Sequence, residues 1–332
     1  MLRAPHAPHA LPALALTLLL AGAASAQPRP AGCPAPAAAA RVRVPTLHVR
    51  SLMPAMRTWA DAARDVDAAA RAAAFRRLVV DEHPDLYGPV LAIPDSAGLA
   101  RYLEWLAPRL AAALRVAAHV ARELPGAARR MASLFPVLGG ADVAVVVAPT
   151  LGRTNGTVRL VDGRPVLIVG VDVQTVLSDR ADDAAALLEH ELTHVAHALA
   201  NPAVYAAVDA GVRGAPTPLF LSVFSEGVAA WAVGCATPGR TAAQRLMSET
   251  LPVEAPAAAA RLVPRLVADL ESTDPARHAD WLFLGGRRTD VPSRFAYWAG
   301  ERAASRLAAR LGAVALLRLD REAILHHLRA AL

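Results

Sequence analysis

The sequence predicts a mainly helical α+β protein, and three observations carry that prediction. Alanine, the strongest helix former, makes up nearly a quarter of the 332 residues. Apolar residues recur at helical spacing on both sides of residues 139–171. Within that window lie short β-branched runs separated by turn residues, the pattern of a small sheet.

At the N-terminus, Arg3 precedes the apolar stretch Leu11 to Ala21, and Ala24-Ser25-Ala26 follows as a small-x-small cleavage signature. Residues 1–26 therefore read as a secretory signal peptide, and the protein as one exported to the periplasm or beyond. Residues 27–40 (QPRPAGCPAPAAAA) read as a Pro/Ala-rich linker. A helical region is expected over 41–138, with helices over Trp59–Val80, Ser96–Leu106 and Pro108–Glu123 and a loop at His83-Pro84-Asp85-Leu86-Tyr87-Gly88. The texture changes at Gly139-Gly140. Strands are expected at Asp142–Ala148, Thr157–Val161 and Val166–Val171, the last two joined through the hairpin turn Asp162-Gly163. Pro165 cannot donate to a ladder, which pushes the third strand toward a sheet edge, where an extended peptide could add alongside it. Beyond Asp179 the chain returns to helix, completing a second region over 139–332.

Composition excludes several function classes. All 35 basic residues are arginine and the formal net charge is +6, but no basic run is interleaved with aromatics as a nucleic-acid platform requires. After the leader, no segment reaches the roughly 18 uninterrupted apolar residues that a membrane span needs. Cys33 and Cys235 are free to pair in an oxidising compartment. A lipid anchor at Cys33 is not expected, because Pro30-Ala31-Gly32 precedes it rather than a Leu-led box.

The residues that carry chemistry lie in AAALLEHELTHVAHALA, Ala184 to Ala200, with Asp182 or Asp183 as N-cap and Asn201-Pro202 as terminator. His190 and His194 are one turn apart on one face, so both imidazoles can reach a single Zn²⁺. Glu191 is rotated by about 100° from His190, beside the metal rather than on it, where a general base belongs. His197 stands about 10 Å along the helix from His190, too far to join them, and is expected in a supporting or surface role. The third ligand is expected to be Glu226 in Phe224-Ser225-Glu226-Gly227-Val228-Ala229, since a carboxylate among apolar neighbours needs a partner. Gly227 would let this helix approach the metal helix closely. Tyr297, or His278 in its place, is the candidate donor to a developing oxyanion. His48, His83, His119, His326 and His327 receive no functional role.

H-E-L-T-H followed by S-E-G-V-A resembles the gluzincins, zinc metallopeptidases with two histidine ligands on one helix and a glutamate on the next. Within them the chain is most similar to an uncharacterised bacterial group described as predicted zinc-dependent proteases, which add a later Tyr-x-x-Gly. Here that motif is Tyr297-Trp298-Ala299-Gly300, preceded by Phe283-Leu284-Gly285-Gly286 and Pro292. The resemblance covers roughly 140–310. It implies a zincin-like fold: a small twisted sheet whose edge strand lies over the H-E-x-x-H helix, followed by a helical C-terminal half. It also implies one Zn²⁺ on His190, His194 and Glu226, and a peptide or protein substrate. Two features depart from the better-known gluzincins. Thirty-one residues separate His194 from Glu226, and Ala230 stands where thermolysin-like enzymes carry an Asp that supports a ligand. Another acceptor, Asp280 or Asp290 among others, must then orient the imidazoles. The rival expectation is a non-catalytic exported scaffold with a structural metal. Glu191 argues against it, because a structural site has no use for a general base and normally fills all four positions.

Overall fold

The computed structural model describes residues 29–35, 42–283 and 290–332. The leader 1–26, residues 27–28 and 36–40 of the linker, and Leu284-Gly285-Gly286 lie outside the described residues. In chain order the elements are β1 (Thr46–Ser51), α1 (Met53–Ala62), α2 (Ala68–Phe75) running into a π-helical turn (Arg76–Val80), α3 (Ser96–Leu106) and the long α4 (Leu110–Leu134). There follow β2 (Asp142–Ala148), β3 (Gly156–Val161), β4 (Arg164–Gly170), α5 (Val171–Leu177), α6 (Ala181–Ala200), α7 (Pro202–Val212) and α8 (Leu219–Ala236). The C-terminal part comprises α9 (Ala242–Leu246), α10 (Leu251–Asp269), α11 (Pro275–Leu282), α12 (Phe295–Leu311), α13 (Ala313–Leu316) and α14 (Arg321–Ala331). The protein is thus α+β and mainly helical around one four-stranded sheet.

The sheet differs from expectation in two ways. A fourth strand, β1, pairs parallel with β2, so 41–138 and 139–332 share one sheet and one hydrophobic core. Strand order is β1-β2-β4-β3, which makes β4 internal and β3 the edge. Pro165 is tolerated inside the sheet because β2 pairs with β4 only from Val166 onward. On its other side Pro165 stands opposite Leu160. Gly170 N donates to Asn155 O, and alternation from that pair puts Pro165 at a position where β3 asks for no donor.

The helices also shift. The stretch Trp59–Val80 is two helices, because Asp65 takes a left-handed conformation and the Asp67 carboxylate caps Ala70 N of α2 at 2.7 Å. The third helix continues well past Glu123, through Pro125 to Leu134, since Leu124, Ala127, Ala128 and Met131 all bury. The N-cap of α6 is Arg180 rather than an aspartate. Asp182 and Asp183 instead occupy its first turn, where they complement the helix dipole. α8 is long and apolar enough to cross a membrane, but 83% of it is buried inside the fold, as befits a core helix.

Cys33 and Cys235 form a disulfide, with Cα atoms 5.3 Å apart. It straps residues 29–35 onto α8 and α12. Trp231 Nε1 and Ser305 Oγ each donate to Ala31 O at 3.0 Å, and Arg29 Nη2 donates to Cys235 O at 2.9 Å. Gly32 (φ +77°) lies so close that a Cβ there would be 2.3 Å from Ala309 N. The bridge closes a loop with a sequence separation of 202. Cys235→Ser is expected to cost about 2–5 kcal/mol. Chemical denaturation should show a matching loss for Cys33→Ser and no further loss in the double variant; additive losses would mean that the thiols act separately.

Candidate metal centre

α6 is buried on every side: each residue from Ala184 to Ala198 is inaccessible or nearly so. α4, α8 and strands β3 and β4 enclose it. Polar side chains on such a helix are costly unless partnered. Glu189 is partnered at one oxygen: Arg130 Nε and Thr237 Oγ1 each lie 2.6 Å from Oε1, while Oε2 makes no hydrogen bond among the described residues and has Arg240 Nε 3.5 Å away as an ion-pair partner. One residue further on, His190, Glu191 and His194 are only 2%, 4% and 7% exposed. They face a cavity of about 650 Å³.

Glu226 of α8 reaches into the same space. His190 Nε2 lies 3.0 Å from Glu226 Oε2, His194 Nε2 lies 3.7 Å from Oε1, and the two Nε2 atoms are 3.2 Å apart. Bonds of about 2.0–2.1 Å to a tetrahedral zinc would put ligand atoms roughly 3.3 Å from one another. The three donors therefore already stand at the spacing of a metal's coordination shell, and His190, His194 and Glu226 form a group able to hold an ion.

The electrostatics follow from burial and proximity. Burial lowers His190 to about 4, which keeps it the neutral imidazole that ligates metals. Burial alone would lift Glu226, yet the charge of His194 and hydrogen bonds from both histidines hold its carboxyl well below the usual range. Burial likewise opposes a charge on His194, but Glu226 and Glu191 raise it overall.

Glu191 sits beside the ligands, under β3. A Cβ at Gly156, the first residue of β3, would come within 2.5 Å of Glu191 Oε1, so glycine lets the strand close over the carboxylate. Its Oε2 is buried without a hydrogen-bond partner among the described residues. Burial pushes the carboxyl up to about 7.

Ser225 Oγ lies 3.1 Å from His194 Nδ1, taking for that ring the orienting part foreseen for Asp280 or Asp290. Asp290 instead binds Arg261 and Arg265 at the surface, at 3.1 and 2.8 Å. His190 Nδ1 has no partner among the described residues. His197 is not a surface residue: it is 2% exposed, packed edge-on against Tyr205 and Phe224. Gly227 does not serve contact with α6. It meets α12, where a Cβ on Gly227 would lie 2.3 Å from Gly300 C. That contact joins the Glu226 and Tyr297 motifs, each one helical turn or less away.

Tyr297 stacks on His190, with ring centroids 6.1 Å apart and planes inclined by 16°. Burial raises its phenol well above the ordinary value, so it stays a proton donor. His278 also lines the cavity, its Nε2 3.2 Å from Ser272 O. Arg294 was not foreseen. It is 6% exposed, lines the cavity, and lies with its guanidinium carbon 4.0 Å from the Tyr297 centroid. Nothing local announces it, because its place depends on how α9 and α12 meet.

The edge strand over the site is β3 rather than the expected Val166–Val171 strand, which is β4. Its outward groups are partly occupied: Thr154 Oγ1 donates to Gly156 O, and Tyr205 OH donates to Val158 O at 3.2 Å. β4, flanked on both sides, cannot accept an added strand.

No protein-family model matches the chain, and neither curated proteins nor solved structures contain a match to it.

Proposed function

We propose that this chain is an exported zinc-dependent metallohydrolase that cleaves peptide bonds. The observation that carries the reading is the convergence of His190, His194 and Glu226 at metal-ligand spacing, with the buried Glu191 beside them, its Oε2 without a hydrogen-bond partner among the described residues. Three ligands leave a position open, as catalytic zinc sites do and structural ones do not. Zinc held there supplies a Lewis acid and lowers the pKa of a bound water toward neutrality. Glu191 takes up a proton and passes it to the leaving amine, a task suited to a carboxyl lifted to about 7. The Tyr297 phenol donates to the oxyanion that develops on the scissile carbonyl. Export agrees with the disulfide, which persists in oxidising compartments.

The test is metal content. Mature protein, residues 27–332, should carry one zinc per chain by elemental analysis. Glu226→Ala should weaken zinc by more than the roughly 10–100-fold that loss of a supporting hydrogen bond costs. Wild-type protein that stays metal-free after reconstitution would overturn the proposal. Zinc retained at full affinity by the variant would remove Glu226 from the ligand set.

A further inference from the structure

Arg294 is a buried cation in the cleft with no ion pair among the described residues. The fold holds it there at a conformational cost. Its backbone is left-handed (φ +63°), a state disfavoured for a residue with a side chain. Its Nη1 donates at 3.1 Å to the carbonyl of Met247, itself left-handed at φ +49°. Two strained residues thus meet to fix one guanidinium.

The Tyr297 ring fixes its plane from one side, at 4.0 Å from the guanidinium carbon. A guanidinium carries five N–H donors in a planar fork; the Met247 carbonyl takes one and the Tyr297 phenol engages the group as well. The donors left over belong to a side chain that lines the cavity. The nearby carboxylates are Glu226 and Glu191, a metal ligand and a base in the reading above. Arg153, the other arginine of the cavity, is exposed and donates to Ala92 O at 3.1 Å. A neutral peptide offers the Arg294 charge no counter-ion. A carboxylate does, and its two oxygens match the fork of a guanidinium.

We infer that Arg294 is a receptor for a substrate carboxylate, so that the cleft selects peptides carrying a carboxylate close to the bond to be cut. The inference rests on the metallopeptidase reading for its meaning. Its test does not, because it reads binding rather than turnover. The carboxylate has two sources, the C-terminus of a short peptide or an acidic side chain, and the probes separate them.

Zinc-loaded Glu191→Gln protein would be titrated by calorimetry with three probes: acetyl-tetra-alanine with a free C-terminus, the same peptide amidated, and amidated acetyl-Ala-Ala-Glu-Ala-Ala. At least one carboxylate-bearing peptide should bind roughly 10–100-fold more tightly than the amidated tetra-alanine, the range of a charge-assisted hydrogen-bonded pair. Whichever acid is preferred names the source. Adding Arg294→Met should abolish the preference. Where the Met variant fails to fold, Arg294→Gln keeps donors and loses the charge, and it should abolish the preference too. Three peptides binding alike, or a preference that survives loss of Arg294, would overturn the inference. A wild-type chain that takes up no zinc would instead defeat the metallopeptidase reading; the same titration on that chain would still decide the role of Arg294.

Discussion

Glu191→Gln is expected to retain zinc in full and to lose about 10²–10⁴ of the hydrolytic rate, the usual worth of a positioned general base. The substitution keeps shape and volume, so the Gly156 backbone that closes over Oε1 finds the same surface. It removes only the capacity to accept a proton. Stability should hold or rise slightly, because a carboxylate that is 4% exposed with an unpartnered oxygen opposes folding when ionised. Initial rates on labelled casein, zinc content and thermal midpoint, measured side by side, check all three. A variant with more than a tenth of wild-type activity would remove Glu191 from the reaction. Loss of zinc together with activity would make it a ligand instead.

Gly227→Ala should have the largest effect on folding of any single methyl added to this chain's helices. Its Cβ would stand 2.3 Å from Gly300 C and 2.5 Å from both Cα and O of the same residue. These are backbone atoms, so no side chain can swing away and α8 and α12 must part. Overpacking of this kind typically costs 1–3 kcal/mol and sometimes more. The thermal midpoint should fall by about 2–4 °C for each kcal/mol. Helix propensity pulls the other way, favouring Ala over Gly by about 1 kcal/mol, so a rise in midpoint would show that the contact is not tight. The parting also carries Glu226 away from Tyr297 and His190, and misplacement by about 1 Å can cost 100-fold in rate. Gly300→Ala should behave alike, since its Cβ would meet Val223 O at 2.4 Å. Because the two glycines share one contact, the double variant should lose less than the sum.

The metal centre was legible where its parts are local. His190, Glu191 and His194 share one turn of one helix, and Glu226 stands out as a carboxylate in an apolar run. Tyr297 came through its motif. Ser225 adjoins Glu226 yet carried no signal, since a serine speaks only once the ring it faces is placed. Arg294 is set by the docking of two distant segments and has no sequence mark at all. The sheet shows the same division. Its β-branched centre was readable, while β1 (TLHVRS) is mostly exposed and lacks clean alternation. Pro165 misled because the rule about proline and sheet edges concerns the hydrogen bonds actually asked of a residue, and here none is asked.

The strap at residues 29–35 bears on how the chain matures. The sequence contains two cysteines, so one intramolecular pairing exists and no shuffled isomer can form. Oxidation therefore calls for an electron acceptor and no isomerase. Cys235 follows Cys33 at a sequence separation of 202. Until both are present, the Cys33 thiol can join only a foreign one. The characteristic error of biogenesis is then a covalent adduct between chains, separable from the monomer on a non-reducing gel.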